Sequence, residues 1–206
     1  MAIGSVSVGS REPTIRWALW PLWILASTLG AALAVVVVFG AIVAAKRAFG
    51  PFNEDDMSGV FLVLAMAACI GGAQWLVLRG KLPSAYWWPL ATIAGCLIAY
   101  LAVMSMGAAT QADLPSIAPD FPALTALALV GISIGLCQWL YLRGVVKRSG
   151  WWVLACAVSW ALLGLGVRGS IGSLEQVTLG LGLAPAVVTG GVLVWLLRQP
   201  TVREPR

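Results

Sequence analysis

GGAQWLVLRG (Gly71–Gly80) is answered 64 residues later by GLCQWLYLRG (Gly135–Gly144). Seven of the ten positions match: Gly, Gln, Trp, Leu, Leu, Arg and Gly. The copies also agree beyond their ends. Seven residues separate Arg79 from Trp87, and seven separate Arg143 from Trp151. The repeated unit is therefore Gln-Trp-Leu-x-Leu-Arg-Gly, a short basic turn, then Trp-Trp opening the next apolar run. This spacing describes two helices joined by a tight turn.

The runs around these phrases decide the environment. The chain is 60% hydrophobic and 10% charged, against about 25% charged in ordinary soluble domains. Its mean hydropathy is +0.93. Several apolar runs exceed the ~18 residues that mark a membrane-spanning helix. Spans are expected near 17–45, 58–78, 86–107, 122–142, 151–168 and 176–197. They form one transmembrane domain over 17–198, with tails at 1–16 and 199–206. The fold class expected is all-α, a six-helix polytopic membrane protein. The 29-residue run Trp17–Ala45 is longer than the ~7–15 residues of a signal-peptide core, so it reads as a retained helix. Gly50-Pro51, Pro83, Pro115, Pro119 and Pro122 fall between or at the edges of runs. Pro185 falls inside the sixth and is expected to bend it, with Thr189 one turn on to help satisfy the freed backbone.

Lys and Arg set the orientation. One side carries ten: Arg11, Arg16, Arg79, Lys81, Arg143, Lys147, Arg148, Arg198, Arg203 and Arg206. The other carries three: Lys46, Arg47 and Arg168. The first side, with both termini, is expected to be cytoplasmic, in the inner (plasma) membrane of a bacterium. Ten of eleven tryptophans lie near that side, where an indole sits well among lipid headgroups. The net charge of +5 is accounted for by this bias rather than by a nucleic-acid surface. Arg79, Lys81, Arg143, Lys147 and Arg148 are candidate contacts for anionic lipid headgroups.

The outer spans read as weaker copies. Trp20-Pro21-Leu22 resembles Trp88-Pro89-Leu90, a register that aligns Ser27 with Gly95 and Ser159. In the last span Gly190 and Arg198 align with Gly71 and Arg79, and Leu193 stands where the glutamines stand. The chain then contains three parallel two-helix repeats related by an axis along the membrane normal. In a ring of such copies, span six lies beside span one.

Small residues recur at intervals of four and three: Ala67, Gly71 and Gln74; Gly131, Gly135 and Gln138; Ala186, Gly190 and Leu193. Span three repeats the pattern at Ala91, Gly95 and Ala99. Such spacing keeps one helix face, and small faces let membrane helices approach closely. Gly71, Gly95, Gly131, Gly135 and Gly190 are thus expected at helix contacts. Gln74 and Gln138 share those faces. Each either bonds a neighbouring helix or contacts a polar ligand.

The phrase G-x-x-Q-W-L-x-L-R-G followed by a Trp-Trp helix start resembles a recurring hairpin in uncharacterised bacterial multi-span membrane proteins. The resemblance covers Gly71 to about Leu97 and Gly135 to about Leu162, and it implies no activity.

Other chemistry finds little support. There is no histidine, and Cys69, Cys96, Cys137 and Cys156 form no C-x-x-C pair, so neither a metal nor a cofactor is expected. The cysteines read as small buried hydrophobes, and Glu54-Asp55-Asp56 as a solvated loop. No charged residue lies at the centre of a span, which weighs against ion-coupled carriers. Ser27 and Ser159 have no basic partner for nucleophilic catalysis. The expected function is therefore non-enzymatic: an accessory or scaffold protein, or a lipid- or small-molecule-binding component. Its expected partners are membrane lipids and other membrane subunits, with no nucleic acid. The alternative is a transporter or channel for a neutral or lipidic solute, and an intramembrane enzyme comes third. A continuous polar cavity walled by Gln74 and Gln138 favours transport, and a solid centre favours the scaffold.

Overall fold

The computed structural model describes residues 17–50, 54–110, 121–166 and 182–199. They form six helices: α1 (Leu19–Phe49), α2 (Glu54–Leu78), α3 (Trp87–Thr110), α4 (Phe121–Leu142), α5 (Gly150–Gly166) and α6 (Ala184–Leu197). No strand occurs among the described residues. Four stretches are long and apolar enough to cross a membrane: Leu19–Ala48, Gly59–Leu78, Trp87–Met106 and Leu124–Leu142. Gly150–Leu163 and Ala184–Leu197 are shorter apolar helices. A helix is the structure such sequences must take in hydrocarbon, because it satisfies its own backbone.

Each helix packs against its neighbours in the chain, and α6 packs against α1. The six thereby close into a ring. One face of each helix is buried inside it, as the series Trp88, Thr92, Gly95 and Ala99 shows on α3. Large aliphatics face outward: Leu25, Leu29, Leu33 and Leu101 are 55–63% exposed.

The hairpin turns share most of their backbone hydrogen bonds. Lys81 and Leu82 N–H groups donate to Leu78 O, and Val145 and Val146 to Leu142 O. Trp87 and Trp88 then donate to Ser84 and Ala85, as Trp151 and Trp152 do to Arg148 and Ser149. Both turns need one left-handed residue, Ser84 (φ 54°) and Arg148 (φ 60°). Neither is a glycine, so each carries a small steric cost.

Several expectations are corrected. Helix α2 begins at Glu54, so Glu54, Asp55 and Asp56 belong to its first turn rather than to a loop. Pro185 stands in the first turn of α6, where no intrahelical N–H is required, and a short π turn at Gly182 and Leu183 precedes it. Three tryptophans assigned to the headgroup level, Trp23, Trp88 and Trp152, are at most 1% exposed and form core. Only Cys156 is fully buried, while Cys69, Cys96 and Cys137 are half-buried. The tail at 1–16, Pro51, Asp113, Pro115, Pro119, Asp120, Arg168, Glu175 and the tail beyond Gln199 lie outside the described residues.

Candidate functional site: a polar relay around a central chamber

Trp23, Trp88 and Trp152 meet at the turn end of the bundle. Their ring centroids lie 5.7, 6.1 and 5.5 Å apart, each pair edge-to-face. Edge-to-face contact is the favoured geometry of aromatic pairs. Leu78, Leu142, Leu193 and Leu196, all 0% exposed, join them in one apolar cluster with Leu82 and Val146 from the turns.

Each indole N–H must find an acceptor when buried, and the three acceptors come from the three even-numbered helices. Trp88 Nε1 donates to Gln74 Oε1 at 2.9 Å, and Trp152 Nε1 donates to Gln138 Oε1 at 2.9 Å. Trp23 Nε1 donates to Thr189 Oγ1 at 3.2 Å. The indole has no acceptor to offer, so it fixes the amide orientation, oxygen toward tryptophan and nitrogen away. The nitrogens then reach backward in the ring. Gln74 Nε2 donates to Ser27 Oγ at 3.0 Å, and Gln138 Nε2 donates to Thr92 Oγ1 at 2.9 Å. Each glutamine thus ties the helix before it to the helix after it. No buried side-chain nitrogen or oxygen lacks a partner among the described residues.

These bonds revise the register of the first span. Trp23, not Trp20, occupies the place of Trp88 and Trp152. Four residues after each lie Ser27, Thr92 and Cys156, and seven after each lie Gly30, Gly95 and Ser159. The glycine contacts follow the same register. A methyl on Gly30 would lie 2.8 Å from Ile70 Cα, and one on Gly95 would lie 2.6 Å from Ile134 Cα. Trp20 instead ties α1 to α6, its Nε1 donating to Val187 O at 2.9 Å. In the last span Thr189, rather than Leu193, stands where the glutamines stand. Its hydroxyl also donates to Pro185 O at 2.7 Å. Two signals in the sequence pointed here: Trp23 lies 65 residues before Trp88, and Thr189 carries the only hydroxyl in Ala184–Leu197.

The other sequence-predicted contact residues sit where backbones approach. A methyl on Gly71 would meet Pro89 Cα and Thr92 Cβ, each at 3.1 Å. On Gly135 it would meet Val153 Cα at 3.0 Å, and on Gly131 the Cys156 carbonyl oxygen at 2.5 Å. Gly190 instead faces Trp20 and Trp23 ring atoms at 2.8 Å. The basic residues are exposed on the turn side. Arg79 stacks over Trp75 at 5.9 Å and Arg143 over Trp139 at 5.5 Å, and Lys81 Nζ donates to Val77 O. Cation–π contact of this kind is worth about 0.5–1 kcal/mol at exposed sites. Lys147 and Arg148 share that exposed surface and do not reach the glutamines.

Next to the tryptophans lies a chamber of about 80 Å³. All six helices contribute to it. Its polar lining is Ser27, Gln74, Thr92, Gln138 and Thr189, and its apolar walls include Ile70, Ile134 and Trp160. No ionisable carboxylate, ammonium, guanidinium or imidazole lines it. Among the described residues no cluster of His, Cys, Asp or Glu is suited to a metal ion. Comparison with protein-family profiles, curated proteins and solved structures finds no match to this chain.

Proposed function

We propose that this chain is a non-enzymatic, six-span protein of the bacterial inner membrane that holds a small neutral molecule or lipid at the centre of its bundle. Three parallel two-helix repeats build that centre, and both termini are cytoplasmic. The observation that carries the reading is the chamber itself, walled by both glutamines and by Trp23 and Trp152 of the interlocked tryptophan trio. Packed cores keep few voids larger than a water molecule. A mostly apolar chamber with a few convergent polar groups, shared by six helices, is therefore better understood as a binding place than as a packing defect. The three interlocked tryptophans and the leucines in the same cluster weigh against a through-path, which puts transport second. The repeat draws support from the backbone hydrogen bonds the two turns share and from the α6–α1 contact. The orientation draws support from the basic turns, whose arginine–tryptophan pairs suit an anionic headgroup layer.

The test is purification of the native protein in mild detergent, followed by solvent extraction and mass spectrometry. A stoichiometric neutral compound, depleted in the Gln74→Leu/Gln138→Leu double variant, is the expected result. Equal recovery from wild type and variant would remove the glutamines from the site, and no bound compound at all would leave a scaffold.

A further inference from the structure

The chamber's hydrogen-bond inventory specifies its occupant more narrowly. Gln74 is 9%, Gln138 3% and Ser27 3% exposed, so each is at least nine-tenths buried. A primary amide nitrogen has two donor hydrogens. Among the described residues, Gln74 Nε2 uses one, on Ser27, and Gln138 Nε2 uses one, on Thr92. Ser27 accepts that bond, and its own proton has no acceptor among the described residues. Its counterparts differ. Thr92 Oγ1 donates to Trp88 O at 2.9 Å, and Thr189 Oγ1 donates to Pro185 O. Three donors thus remain on residues that line one chamber: an N–H of Gln74, an N–H of Gln138 and the Ser27 hydroxyl.

The amide oxygens do not balance this. Each already accepts an indole N–H. An oxygen with one of two lone pairs filled is common in protein interiors, whereas an unmade buried N–H is rare and costly. The complement of this site is therefore an acceptor. It must also be uncharged, because no countercharge lines the chamber and an isolated ion in such surroundings is expensive. Met66, Ile70, Ile134 and Trp160 complete the wall, so the remainder of the occupant is apolar.

We propose that the chamber recognises a neutral lipophile through a carbonyl or ether oxygen, held by Gln74, Gln138 and Ser27. The proposal rests on the ligand-binding reading given above. The volume of about 80 Å³ admits such a head group, since one water needs roughly 10–15 Å³ on that measure. Water is the competing occupant.

A matched pair of probes tests this. The full chain in lipid nanodiscs is titrated with methyl heptyl ketone and with n-nonane, and each concentration is expressed as mole fraction in the lipid. Emission from Trp23, Trp152 and Trp160, which line the chamber, reports binding. The ketone is expected to bind about 10-fold more tightly than the alkane, the value of one or two hydrogen bonds. Ser27→Ala and Gln138→Leu should each shrink that ratio. Ser27→Ala is the safer variant for folding, since it removes one atom and leaves the indole acceptors intact. Equal affinity for ketone and alkane would overturn the acceptor preference and leave the ligand-binding reading standing. A ketone preference unchanged in both variants would overturn the assignment of donors. Binding of neither probe would make water the occupant and overturn both readings.

Discussion

Two of the ring's contacts are bridged by glutamine, at α2 and α4, and the one that closes it is bridged by threonine, at α6. A glutamine side chain is long enough to accept from a tryptophan on one neighbour and donate to a hydroxyl on the other. Thr189 accepts from Trp23 but turns its proton onto its own helix, at Pro185 O. The position equivalent to Ser27 and Thr92 on α5 is Cys156, a weaker hydrogen-bonding group. The substitutions agree with each other: where the bridge shortens, the hydroxyl it would reach is absent. The glycines that carry the predicted small-residue stripe differ as well. Gly71, Gly131 and Gly135 meet backbone atoms of the next helix, whereas Gly190 meets indole rings; at the closing contact the backbone approach falls instead to Gly182, where a methyl would lie 2.8 Å from Thr28 Cα.

The largest expected effect breaks the closer of these contacts. Gly131→Ala places a methyl 2.5 Å from a carbonyl oxygen that cannot rotate away. It should lower stability by about 3 kcal/mol or abolish folding. Gly190→Ala presses on side chains and should cost about 1–2 kcal/mol, both read by unfolding in a detergent titration. Gly72→Ala, with nothing within 4 Å of the added methyl, serves as the control and should be neutral or slightly stabilising. A Gly190→Ala loss as large as that of Gly131→Ala would erase the distinction.

The polar bridges come next. Gln138→Leu strands the Trp152 N–H and removes the bond to Thr92, so a loss of about 2 kcal/mol is expected. Thr189→Val strands only the Trp23 N–H and should cost about 1 kcal/mol. Equal losses in the same unfolding assay would mean that the second arm of the glutamine is worth nothing. The third contact can be rebuilt as a copy of the others. Thr189→Gln and Cys156→Thr should be more favourable together than their separate effects sum to, with a coupling of about 1 kcal/mol in a double-mutant cycle.

The smallest effect concerns the turns. Ser84→Gly and Arg148→Gly relieve a left-handed conformation and should each gain roughly 0.5 kcal/mol. The two gains should match, since the left-handed residue and the one after it accept the same pair of bonds from the next helix in both turns.

Much of this was legible in the chain. Composition and run length called for a membrane-type helical fold, and the small-residue intervals marked the faces that meet. The repeated phrase located both glutamines on those faces. What escaped was the register of the outer copies. Trp20-Pro21-Leu22 matches Trp88-Pro89-Leu90 as text, yet Trp23 takes the buried place. Pairing is decided by which indole finds an acceptor across the ring, and that acceptor, Thr189, lies 166 residues away. The same long-range term separates core tryptophans from headgroup-level ones. Trp87 and Trp88 are adjacent in sequence, yet one is 51% and the other 0% exposed. Helix phase relative to partners decides this, and local sequence does not encode it.

The chamber exists only if α6 closes against α1, and that contact can be measured directly. In a chain whose four cysteines are replaced by alanine, Trp20→Cys and Val187→Cys place thiols on the two helices where the indole now donates to Val187 O. A short bifunctional thiol reagent, applied in membranes, should join them within one chain and leave no free thiol. Two thiols that are modified separately, or links that form only between chains, would contradict the closed ring.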